Sequence, residues 1–137
     1  MAKNRYLKTI VPFIAGAAIM SVPPMVQQAF ADPASEVVNA QTHAGLAAAS
    51  TKIEGVHVHL HHALNCLVGP MGEGFDAKQM NPCAQAGSGA IPDTTDAAKK
   101  KSLEAAAAKA REGIAATDFA IAQKDAAAAA EMLKKVE

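Results

Sequence analysis

Ala47-Ala48-Ala49-Ser50-Thr51-Lys52-Ile53-Glu54-Gly55 decides the fold of this chain. From Pro33 to Val68 the residues are helix formers, and this stretch either runs through one long helix or turns the chain back on itself. Thr51 with Glu54 three residues later reads as a capping box, which starts a new helix near Lys52. No Pro or Gly marks the turn itself. Both readings stay open on this signal alone: a hairpin turning at Ser50, or one rod over residues 33–68.

Outward from that point, Asp32-Pro33 is a helix start, a capping Asp followed by Pro in the first turn. Leu46, Ile53, Val56, Leu60, Leu64 and Leu67 recur at three- and four-residue steps, or multiples of them, the helical period. Residues 69–92 break it with Gly69-Pro70, Gly72, Gly74, Asn81-Pro82 and Gly87-Ser88-Gly89. A loop of that length in a small domain must be tied down. Cys83, bonded back to Cys66, and the ring of Phe75 are the expected ties. Asp93 is expected to cap a helix running to about Glu112, and Thr117-Asp118 a last helix from Phe119 to about Val136. The fold class is therefore all-α: a small up-and-down bundle of four short helices, or three if residues 33–68 are continuous, with a long disulfide-tied loop.

Residues 1–31 read as a signal peptide. Lys3, Arg5 and Lys8 precede a twelve-residue apolar run, Thr9 to Met20, and Ala29-Phe30-Ala31 is a small-x-small cleavage site. The working domain is then 32–137, placed in the periplasm or secreted. All thirteen acidic residues but only ten of the thirteen basic ones follow Ala31, leaving a formal charge of −3 on that part. Such a balance argues against nucleic acid as a partner. No second apolar stretch approaches membrane length, so no membrane attachment is expected after cleavage. Phe75 and Phe119 are its only aromatic residues besides histidine. So thin a core calls for a staple, a metal or a partner, including self-association or another exported protein. In an oxidising compartment Cys66 and Cys83 are expected to join. The alternative makes Cys66 a soft metal ligand beside His62.

The chemistry lies in Gly55-Val56-His57-Val58-His59-Leu60-His61-His62, with four of the chain's five histidines within six residues. Imidazole is the commonest protein metal ligand. On a helix His57 and His61, four apart, point the same way and can chelate one ion, while His59 and His62 share another face with Cys66 below. Glu54 stands three residues before His57, an E-x-x-H segment of which there is one copy. His43 supplies a third imidazole only through the hairpin. On a continuous helix it lies 14 residues from His57, about 21 Å away. In a hairpin turning at Ser50 the two stand opposite each other, each seven residues from the turn. His43, His57 and His61, with Glu54 close by, are thus the expected site, and His59 and His62 further candidates. Two other readings of the run are a solvated polar stripe and an extended segment with His57, His59 and His61 on one face.

Neutral imidazoles suit divalent transition ions, copper first by affinity order, then zinc, nickel and cobalt. The expectation is a metal-binding protein for sequestration or delivery, and not an enzyme: no nucleophile–base pair, c-type haem motif or phosphate loop can be read. The alternative is a helical interaction or adaptor module with no metal role. Ala-rich helices bearing histidines behind an export leader resemble small periplasmic His-rich metal-binding bundles. Those spread histidines along every helix, whereas none follows His62 here, and no residue role is carried over.

Overall fold

The structure is a computed structural model that describes residues 31–136. Five helices follow in order: α1 (Pro33–Ala48), α2 (Ile53–Val68), the one-turn α3 (Ala90–Asp93), α4 (Ala97–Ala115) and α5 (Phe119–Lys134). The chain does reverse after Ala48. Residues 49–52 link α1 to α2, so residues 33–68 form a hairpin and not a rod. The leader expected over residues 1–31 lies outside the described residues apart from Ala31. No helix among the described residues is long and apolar enough to cross a membrane.

The four long helices form an up-and-down bundle. α1 packs against α2 and α5, and α4 against α5 and α2. Sequence explains why such small side chains suffice. α1 buries Val37, Ala40, Ala44 and Ala47, and α5 buries Ala122, Ala126, Ala129 and Leu133, each a stripe at helical spacing. Alanine faces let helices approach closely. α2 fills the middle with Val56, Leu60, Leu64 and Leu67. Each fully buried Leu or Val contributes about 1.5–3 kcal/mol, so α2 is the helix on which the core depends.

Three of the four long helices start as carboxylate chemistry dictates. Asp32, Asp96 and Asp118 accept hydrogen bonds from the backbone N–H groups of Ser35, Lys99 and Ile121. Asp96 thereby replaces Asp93, the cap expected from sequence. Asp93 instead ends α3, and its Oδ2 accepts the Ser88 N–H at 2.6 Å. The capping box at Thr51 does not form either: α2 is preceded by Lys52 in extended conformation, with no side-chain cap.

What closes the α1–α2 turn comes from the far end of the chain. Gln123 on α5 donates through Nε2 to the Ala48 carbonyl at 2.8 Å and the Ser50 carbonyl at 3.1 Å. It satisfies acceptors that a Gly or Pro signal would otherwise have announced. The α4–α5 turn is closed reciprocally from α2. His57 Nε2 lies 3.0 Å from the carbonyl oxygen of Ala116, the residue that ends α4. A carbonyl only accepts, so Nε2 carries the proton.

The loop over residues 69–89 is held at several places. Cys66 and Cys83 form the expected disulfide, buried against the core. Phe75 packs on the core as expected. Asn65, fully buried, is the tie the sequence did not disclose. Its Nδ2 donates to the carbonyls of Asp76 at 3.0 Å and Met80 at 3.1 Å, and its Oδ1 accepts the Asp76 N–H at 2.9 Å. The loop's two ends meet backbone to backbone. Gly69 and Gly89 both have positive φ, 66° and 118°, and a Cβ on Gly69 would lie 1.6 Å from the Ser88 carbonyl oxygen.

Candidate metal centre

The hairpin brings three imidazoles together, one from α1 and two from α2: His43, His59 and His62. One ring nitrogen or other ligand atom from each lies within 4.8 Å of the other two. His43 Nδ1 and His59 Nδ1 are 3.4 Å apart. A tetrahedral ion with bonds of about 2.0–2.1 Å holds its donor nitrogens roughly 3.3–3.4 Å apart. The first pair thus already has the spacing of two ligands on one ion.

Ring packing supports the same grouping. His62 stands edge-on to both other rings, with centroids 5.0 Å from His43 and 5.7 Å from His59. His62 is buried and the other two are half-buried. The Nδ1 of His62 is enclosed without any hydrogen-bond partner. An enclosed ring nitrogen with no partner costs stability unless something occupies it.

Electrostatics keeps the donors in the ligating form. Burial, and then the neighbouring His62 and His59, hold His43 below the usual imidazole pKa of 6.5. Burial, and then His59 and His61, do the same to His62. Neutral imidazoles bind ions, and protonated ones do not. Without an ion, the 3.4 Å contact is a hydrogen bond only while one of the two nitrogens carries a proton. With both deprotonated the lone pairs face each other.

The trio expected from sequence, His43 with His57 and His61, is not the one the hairpin assembles. His57 is turned to the α4–α5 turn, where it holds the Ala116 carbonyl. His61 faces the loop, with Nδ1 3.9 Å from Asp76 Oδ2. Glu54 is exposed in the first turn of α2 and is not part of the cluster. Cys66 is in the disulfide and carries no thiolate to bind an ion.

The reason is a register shift. In an antiparallel hairpin, facing residues lie symmetrically about the turn. A turn at Ser50 pairs His43 with residue 57, whereas the observed contact pairs it with His59, two positions symmetric about Thr51. Moving the centre by one residue moves the partner by two, and two residues are about 200° around a helix. That half-turn exchanges the His57/His61 face for the His59/His62 face. His59 and His62, three apart on that other face and the further candidates from sequence, are the pair that meets His43.

Fold and site together define an all-helical bundle with a three-histidine cluster able to hold a metal ion. The chain matches no family model, no curated protein and no solved structure. Its function therefore rests on this geometry.

Proposed function

We propose that the protein is an exported carrier of a divalent transition ion, bound by His43, His59 and His62. One observation carries this reading: three imidazoles from two helices converge, with a ring nitrogen of each within 4.8 Å of the others. An all-imidazole set favours borderline ions, copper first in affinity order, then zinc, nickel and cobalt. Three protein ligands leave one tetrahedral position for water or for a group on a delivery partner. That arrangement suits sequestration and hand-over without turnover. The buried disulfide supports the export half of the proposal, because such bonds persist in oxidising compartments.

Titration of the protein with copper and with zinc, against a chromophoric chelator of known affinity, is the test. Changing His43, His59 or His62 singly to Ala should weaken binding by at least tenfold. His57→Ala and His61→Ala should leave it within about threefold. Equal losses from both groups, or no binding tighter than millimolar, would remove the site.

A further inference from the structure

At the end of the bundle occupied by the loop lies a cavity of about 570 Å³, away from the histidines. That volume falls within the range of small-molecule sites. Its walls are the two ends of the loop and one side of α4. Val68, Pro70, Met71, Ile91 and Pro92 supply an apolar lining. Met71 is 98 % exposed at the rim, an unusual position for a flexible, adaptable apolar side chain. The cavity is held open by structure rather than by chance packing. The Cys66–Cys83 bond, the Asn65 staple and the Gly69–Gly89 contact fix both ends of the segment that forms it.

The same walls carry two cations, Lys100 and Arg111. Among the described residues neither has a carboxylate within ion-pair distance, although Glu73 and Glu104 also line the cavity. Arg111 Nη2 donates to the neutral carbonyl of Glu73 at 2.8 Å. Its Nε is buried and has no partner. A guanidinium that is charged at all pH values of interest and has no carboxylate in direct contact keeps donors free for an incoming carboxylate, although Glu73 and Glu104 offset its charge at longer range.

We propose that this cavity binds an apolar carboxylate, its chain against Val68, Ile91 and Pro92 and its head group on Arg111 and Lys100. This is a second site, with no histidine in its lining. It would let the protein carry or sense a small amphiphilic anion.

The probes are decanoate and its neutral analogue decan-1-ol, titrated into the disulfide-bonded protein by calorimetry. Decanoate should bind at least tenfold more tightly than the alcohol, as expected for a charge-assisted hydrogen bond. Arg111→Met should abolish that preference while leaving alcohol binding in place. The His43→Ala variant should bind decanoate as the unaltered protein does, which separates this site from the metal centre. Equal affinity for the two probes, absence of decanoate binding, or a preference that survives in Arg111→Met would each overturn the proposal. The comparison of the two probes needs no variant, so it stands even if Arg111→Met does not fold.

Discussion

Replacing Glu36 by Gln should change how stability depends on pH, by an amount the structure sets. Glu36 lies on α1, fully buried, with Oε1 accepting the Gly89 N–H at 2.9 Å and Oε2 unpartnered. Burial raises its pKa from 4.5 to about 7; the Gly89 N–H opposes the rise, and Asp93 and Asp32 add to it. A raised carboxyl contributes stability that is fully present below the unfolded value of 4.5 and lost as pH climbs through about 7. The difference is worth about 3 kcal/mol at 1.36 kcal/mol per unit, an upper figure because solvent and backbone relax around the charge. Gln keeps the acceptor for Gly89 and never ionises. Urea unfolding of both proteins at pH 5, 6, 7 and 8 isolates the effect, since every other titrating group cancels in the difference. The stability of Glu36→Gln relative to the unaltered protein should rise by up to about 2.5 kcal/mol over that range, most of it between pH 5 and 7, and level off above pH 7. A difference that stays constant within about 0.5 kcal/mol, the size of ordinary surface effects, would refute the picture of a protonated carboxyl under the loop.

Metal should be released on acidification, with a midpoint below pH 6.5, because burial holds His43 and His62 below that value and delays their protonation. Chelator competition across pH 4.5–7.5 measures it, and a midpoint above 6.5 would contradict the buried donors. In the ion-free protein the same two histidines should cost stability as pH falls below 6.5, since the unfolded chain takes up their protons first. Asn65→Leu takes the partner from the Asp76 N–H and from the Gln79 and Met80 carbonyls, while the Asp76 carbonyl keeps the Gln79 N–H; it should lower stability by roughly 2–4 kcal/mol while exposing residues 70–80 to proteolysis. Reducing Cys66–Cys83 frees a loop of sequence separation 17, and should cost about 3 kcal/mol in urea unfolding.

Much of the architecture is legible in the amino acids because local chemistry and tertiary packing agree. The caps at Asp32 and Asp118, the apolar period of α2 and the pairing of two cysteines each follow from residues a few positions apart or from composition. The turn between α1 and α2 was ambiguous because its acceptors are satisfied by Gln123, over seventy residues away. Asn65 looked like one polar residue in a helix, since its partners lie 11 to 15 residues further on in an irregular segment. The site was half legible. His43 and the need for a reversal could be argued from spacing. Which face of α2 it meets depends on a single residue in the turn, and Lys52 rather than Thr51 precedes that helix.

The three ring donors all come from one hairpin, and the His43–His59 contact spans a sequence separation of only 16. Loop-closure entropy grows with the logarithm of that span, so bringing these rings together is among the cheapest tertiary events open to the chain. The three rings themselves lie within the hairpin, whose turn Gln123 of α5 also closes. An ion held there, as proposed, would therefore cross-link the first two rods over one of the shortest spans of chain available.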